Sequence, residues 1–270
     1  MGAPPSIRLD HLVILVRDLP TAVTDYRRLG FTVTPGGRHA DGATHNAQVV
    51  FDDDTYFELV AFTDRWTLTK LRLLRRFHLL DGVVPPDPSF GSRVRRRGAV
   101  GDGLIDYALV PDDAEQRIRA ARGRGLLIDG PLSGSRVRPD GQKVAWQFGF
   151  PHDPNLPFFC ADKTPRALRV PEGDVRRHRN GAVGIARLTV YVRDLGWAAE
   201  GYGQLLGLEP RTDSAGEARF RVGTDIIVRA HGGTTKPAKV TLRTSQAGHV
   251  GTLDRRLTEG VDIELVAAEA

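Results

Sequence analysis

A chain of 270 residues, 40% of them hydrophobic, can build one large core or two ordinary ones, so folding requires neither a disulfide nor a structural metal. Of its 38 basic residues 33 are Arg and 5 are Lys, and the runs at Arg72, Arg75 and Arg76, at Arg93 and Arg95 to Arg97, and at Arg176, Arg177 and Arg179 lack interleaved aromatics; they read as solvated faces, which excludes nucleic acid as an expected partner. The single cysteine, Cys160, excludes disulfide frameworks and zinc fingers, and with no signal pattern and no apolar run of ~20 residues the expectation is a cytoplasmic protein without a membrane partner.

An internal repeat organises the chain. LDHLVILVRDL at 9–19 recurs as IARLTVYVRDL at 185–195, each a strand ending in Val-Arg-Asp-Leu, with Arg187 in the place of His11. After the first copy, Val23, Tyr26 and Leu29 follow helical spacing up to Gly30; after the second, Ala198, Tyr202 and Leu205 do so up to Gly207. Short strands come next: FTVTP, THNAQVVF and TYFELVAF in the first copy, LEPRT, EARFRV and DIIVRA in the second. The order is β-α-β-β-β twice.

A third unit starts at Gly103 with LIDYALV, a helix carrying Ala114, Ile118 and Ala121, and the strands LLIDGPL, VAWQFGF and LPFFCAD; aligned on its helix end, Asp106 takes the position of His11. A fourth starts at KVTLRT, with a helix expected from Val250, Leu253 and Leu257, and ends after DIELVAA, two strands short. Residues 63–100 are an insertion in which WTLTKLRLLRRF predicts an amphipathic helix followed by the breaker-rich VVPPDPSFGS, and residues 163–182 read as an interdomain linker. The divisions expected are 8–165 and 183–270.

Within the strand TYFELVAF, alternation puts Tyr56, Glu58 and Val60 on one face, and a carboxylate buried there requires a proton, a cation or a metal. His45, on the neighbouring strand, is a candidate for the same space. Trp146 and Phe148 share a strand face and offer an aromatic lining, while Arg138, before a Pro-Asp-Gly hairpin turn, is a candidate clamp for a substrate carboxylate. Glycine-rich phosphate loops, Gly-x-Ser-x-Gly elbows and His-Glu-x-x-His are absent, which removes nucleotide-dependent and serine-hydrolase classes.

Taken together, LDHLVILVRDL, THNAQVVFDDDTYFELVAF, VRPDGQKVAWQFGFP, LPFFCADKTPR and HRNGAVGIARLTVYVRDL resemble the glyoxalase-like group of the vicinal-oxygen-chelate superfamily over residues 8 to about 200. The resemblance implies an α+β fold in which tandem βαβββ modules form a cup-shaped open half-barrel, followed by a second, incomplete domain of the same kind. It further implies a divalent ion (Fe, Zn, Mn or Ni, not distinguished) held in the cup by the first and last strands of each module.

On that pattern His11, Glu58 and Asp106 are the metal ligands, with Glu58 and His45 as catalytic groups and Tyr56, Arg138 and Trp146 as substrate contacts. The last strand of the second module reads Phe158, Phe159, Cys160, Ala161, Asp162, without an acidic residue directly after the aromatics. In the C-terminal half Arg187 and Ile226 to Val228 leave no metal site, so that half is expected to be structural, dimer-forming or a lid, and a homodimer is among the expectations.

The activity expected is metal-dependent isomerase, lyase, epimerase or dioxygenase chemistry on a small molecule with two adjacent oxygens. Two alternatives stand beside it: sequestration of a small molecule without chemistry, and metal-free acid-base catalysis by His11, His45 and Glu58.

Overall fold

The computed structural model describes residues 7–39, 42–84, 86–138, 141–212, 216–233 and 235–268. The first module runs β1 (Ile7–Leu15), α1 (Leu19–Arg28), β2 (Thr34–Arg38), β3 (Thr44–Val50) and β4 (Tyr56–Phe62). After the insertion, the second follows the same plan: β5 (Gly103–Pro111), α5 (Ala114–Gly123), β6 (Ile128–Val137), β7 (Lys143–Pro151) and β8 (Phe158–Asp162). The β6–β7 hairpin forms as expected, although Pro139 and Asp140 of its predicted turn lie outside the described residues.

The Asp of the repeated Val-Arg-Asp-Leu is a helix N-cap. Asp18 accepts from Thr21 N at the start of α1, and Asp194 accepts from Trp197 N at the start of α6 (Leu195–Leu206). Asp113 does the same for Gln116 N in the second module. At the far end of α6, Gly207 adopts the left-handed conformation (φ 64°) that a Cβ would disfavour.

Eight strands form one curled sheet in the order β2-β3-β4-β1-β5-β8-β7-β6. β1 runs parallel to β4 and β5 parallel to β8, while β1 and β5 meet antiparallel at the seam. The seam is symmetric: His11 faces Ala108, and Val13 faces Asp106. Asp106 is therefore the counterpart of His11, as the alignment predicts. Since Val13 pairs with Glu58 and Ala108 with Phe158, the counterpart of Glu58 is Phe158.

Alternation sorts the side chains. Leu12, Ile14, Phe57, Leu59, Leu109 and Phe159 pack with α1 and α5, whereas Val13, Leu15, Val60, Ala108 and Cys160 face the cup. The insertion fills much of that cup with α2 (Thr67–Arg76), the single turn α3 (Leu80–Val83) and α4 (Phe90–Gly98). α2 was legible; α4 was not, because a basic run suggested a solvated face. Arg93 is instead buried and grips Asp106 with two bonds, Nε to Oδ2 at 2.8 Å and Nη2 to Oδ1 at 3.0 Å, and Arg97 Nε adds a contact at 3.2 Å.

The second half repeats the plan in a seven-stranded sheet made of β9 (Ala182–Val192), β10 (Arg211–Thr212), β11 (Glu217–Val222), β12 (Thr224–Ala230), β13 (Lys236–Thr244), β14 (Gly251–Thr252) and β15 (Asp262–Ala267). The helix expected over Val250 to Leu257 does not form. Gly251, at φ 143°, lies far from helical geometry, and β14 pairs with Leu265 and Glu264 as a short edge strand. Leu253 still reaches the core, but from an extended segment.

This half packs on the helix side of the first sheet, away from the cup, so it is no lid over the cup. One continuous core joins them, including Tyr26, Phe57 and Leu109 with Leu188, Tyr202 and Leu265. Asp53 ties the halves further by accepting from Arg243 at 2.7 Å and Ile185 N at 3.1 Å. No helix among the described residues is long and apolar enough to cross a membrane.

Substituting Asp106→Leu leaves the buried Arg93 guanidinium, with Arg97 near it, without this counter-charge, and should lower unfolding free energy by about 3–5 kcal/mol in urea titrations. Arg93→Met should cost less, because Arg97 remains within 3.2 Å of the carboxylate.

Candidate functional site

The seam of β1 with β5 carries a bulge: Leu9 pairs with Leu109 and His11 with Ala108, leaving Asp10 as the extra residue. A bulge lets neighbouring side chains that would point to opposite faces come together. Here it brings the Asp10 carboxylate to His11 Nδ1 at 2.8 Å.

Asp10 is wholly buried, and burial would raise its pKa; Arg169 and Arg166, then His11, outweigh that and hold it well below the ordinary carboxylate range. Arg169 Nη1 donates to Asp10 Oδ2 at 2.9 Å, and Arg166 Nη2 lies 2.7 Å from Oδ1. An ionised Asp10 only accepts, so Nδ1 of His11 carries a proton and Nε2 is the atom presented to the cup.

Nε2 of His11 lies 3.5 Å from Glu58 Oε2. The other oxygen, Oε1, takes hydrogen bonds from His39 Nε2 at 3.1 Å and from Asn46 Nδ2. His39 is itself oriented by Thr44 Oγ1, 2.7 Å from its Nδ1. For Glu58, burial acts to raise the pKa, but the His39 hydrogen bond and charge, the charge of His11 and the Asn46 bond prevail and set it at about 2. A fixed carboxylate anion therefore lies between two imidazoles.

Aromatic rings close the space. Tyr56 stacks on His11 with centroids 4.7 Å apart, and Phe158 meets the imidazole edge-on at 5.7 Å. Phe90, from the first turn of α4, packs on His39 and lies parallel to Phe148, so the insertion contributes to the cavity wall. The cavity they line is about 40 Å³.

Of the predicted residues, His11, Glu58, Tyr56 and Trp146 line this cavity together. His45 does not, because Thr44, Asn46 and Gln48 hold the cup face of β3 and alternation turns His45 to the other side, towards Asp18 and Arg38. Arg138 is drawn to the Leu168 carbonyl at 3.2 Å, and its strand neighbour Arg136 lines the cavity in its place. Asp106 lies outside the lining, committed to Arg93. Cys160 does line the cavity, but burial pushes its thiol pKa up and keeps the proton on.

Several functional residues escaped sequence reasoning: Asp10, His39, Asn46, Arg136, Arg166 and Arg169. Two had a signal. Polar residues at every second place in THNAQVVF mark Asn46 rather than His45, and a charged Asp10 beside His11 in an apolar strand demands a buried partner.

The sequence profile of the glyoxalase-like domain matches residues 9–245. The chain belongs to the glyoxalase-like domain family. No curated protein matches this glyoxalase-like chain. Among solved structures, a hypothetical protein from Staphylococcus aureus superposes with a TM-score of 0.74 at 14% identity, covering 97% of this chain and 100% of that one. A Mn(II)-bound glyoxalase from Novosphingobium aromaticivorans gives a TM-score of 0.53 at 12% identity over 92% of this chain and 69% of that one. A xylose isomerase-like TIM barrel/4-hydroxyphenylpyruvate dioxygenase fusion protein gives 0.53 at 12% identity, over 93% and 40%. At these identities the likeness is one of fold.

The ligand set implied for a metal fits this chain poorly. Of the four symmetry-related positions, His11 and Glu58 offer donors, Asp106 is held by two arginines, and Phe158 has no donor atom. Among the described residues no group of three His, Cys, Asp or Glu side chains is placed to hold an ion.

Because the folded Glu58 pKa of about 2 lies below the ordinary 4.5, its contribution to stability is complete above about pH 4.5 and lost as pH falls towards 2. Urea titrations from pH 6 to pH 2.5 should show wild type losing on the order of 3 kcal/mol more than Glu58→Gln over that window.

Proposed function

We propose that the cup is the active site of an enzyme that moves a proton on a small molecule with two adjacent oxygens, chemistry of the isomerase or lyase type. The observation that carries this reading is the line Asp10, His11, Glu58: an imidazole anchored by one buried carboxylate, with its free nitrogen 3.5 Å from a second that stays ionised.

In this reading His11 Nε2 accepts the proton from a carbon or hydroxyl of the substrate, and the electron pair left behind spreads onto the adjacent oxygen. Asp10 behind and Glu58 in front stabilise the imidazolium that forms, as opposite charges do across a few ångströms of low-dielectric surroundings. Return of the proton to the same or a neighbouring atom completes an exchange or an isomerisation. His39 and Asn46 hold Glu58 in place and keep it anionic, and Phe90 of the insertion packs on His39 beside the reacting groups.

The test is proton exchange in D2O, followed by ¹H NMR over a panel of small 2-oxo and 2-hydroxy acids and their esters. Wild type should wash out an acidic C–H of at least one member; His11→Ala should slow this by about 100-fold or more, and Asp10→Asn by about 10-fold. Exchange that persists in His11→Ala, or that disappears on chelation and returns with an added divalent ion, would replace this mechanism with another. No exchange together with a tightly retained small molecule would make the cup a binding site instead.

A further inference from the structure

Two polar groups in the cavity wall lack partners suited to them. Trp146 is nine-tenths buried, with 9% exposure, and its Nε1 has no hydrogen-bond acceptor. The indole sits over Gly134, its cross-strand partner, so closely that a Cβ there would lie 2.3 Å from Nε1. The nitrogen therefore lies on the cup side of β6, directly above that glycine.

Arg136 is the second group. Two residues beyond Gly134, it projects from the same face of β6 and is the diagonal neighbour of Trp146. Its Nη1 donates to the Gly36 carbonyl, and none of its nitrogens forms an ion pair with a carboxylate among the described residues. This contrasts with the deeper cavity arginine, Arg169, which Asp10, Asp162 and Tyr56 saturate. Glu58 acts on Arg136 through its charge without touching it, which leaves a gap between guanidinium and carboxylate.

The indole N–H and the Arg136 guanidinium line one cavity from neighbouring strands, and a buried donor left unmet costs about 1–3 kcal/mol. An anionic oxygen pair satisfies both at once. We infer that this corner of the cup binds the carboxylate of a short carboxylic acid, directing its adjacent oxygen-bearing carbon towards His11 and Glu58. The inference rests on reading the cup as a ligand site, and it narrows the substrate class to small monocarboxylates.

Titration calorimetry on the full chain tests it with pyruvate and acetate against the neutral pyruvamide and acetamide. Each acid should bind at least about 10-fold tighter than its amide, and Arg136→Gln should remove about 30-fold or more of acid binding while leaving the amide unaffected. Trp146→Phe, which keeps the ring and loses the N–H, should cost about 3- to 10-fold, and Arg136→Lys should restore part of the Arg136→Gln loss. Thermal melts of each variant show whether the fold is retained.

Equal affinity for acid and amide, acid binding unchanged in Arg136→Gln, or no binding of either acid would overturn the assignment. His11→Ala separates it from the proton-transfer reading: that variant should lose exchange while the preference for acid over amide still depends on Arg136. Arg136-dependent binding without proton exchange would sink the catalytic reading alone; proton exchange without Arg136-dependent binding would sink the carboxylate subsite alone.

Discussion

A bulge of one residue in the first strand controls the rest of the site. Asp10 is the unpaired residue of the β1–β5 ladder, and only because it is unpaired can its carboxylate meet the imidazole of the next residue. A wholly buried carboxylate requires compensation, and the two guanidinium groups that supply it, from Arg166 and Arg169, come from the segment joining the two halves of the chain. That segment, which reads as a linker, is the back wall of the site. Its far end is pinned from both halves: His178 Nδ1 accepts from Thr32 N of the first module, and Asn180 accepts from Ala182 N at the start of β9. The C-terminal half thus supports the site without lining it.

The two modules of the first sheet show how a symmetric fold carries an asymmetric site. Their strand registers are interchangeable, yet His11 and Glu58 in one correspond to Asp106 and Phe158 in the other. Asp106 serves to anchor the insertion through Arg93, and Phe158 packs edge-on against His11. The same bulge recurs in the second half at Ala186, followed by Arg187, but Ile227 takes the place of Glu58 and Asp225 that of Tyr56. Of the four repeats, the first carries the His–carboxylate pair, and the insertion whose Phe90 packs beside it belongs to the first half.

Much of the fold was legible because periodicity and capping are local. The Val-Arg-Asp-Leu repeat marks two strand-to-helix junctions, and the alternation in TYFELVAF puts Glu58 on the cup face. What failed depends on distant partners. Arg93 looks like any solvated arginine until Asp106 is placed beside it, and His39 sits in no recognisable pattern until β2 brings it to Glu58. At Val250 to Leu257 a helical spacing was present, but Gly251 and the pairing with β15 prevailed over it. His45 and Arg138 were each near the right place, one residue and two residues from the groups that line the cup. The first error follows from strand parity and the second from the Leu168 carbonyl, which holds the Arg138 side chain at the cavity's edge.

In the proposed mechanism Asp10 fixes the proton of His11 on Nδ1 and Nε2 acts towards the cup as an uncoordinated base. Long-range ¹H–¹⁵N correlation spectra of the histidine rings, assigned with Asp10→Asn, measure this directly. The account predicts a slowly exchanging, strongly downfield Nδ1 proton for His11 that moves upfield in Asp10→Asn, with Nε2 in the range of an uncoordinated ring nitrogen. A His11 ring protonated only at Nε2, or an Nε2 signal shifted by a bound ion, would contradict it.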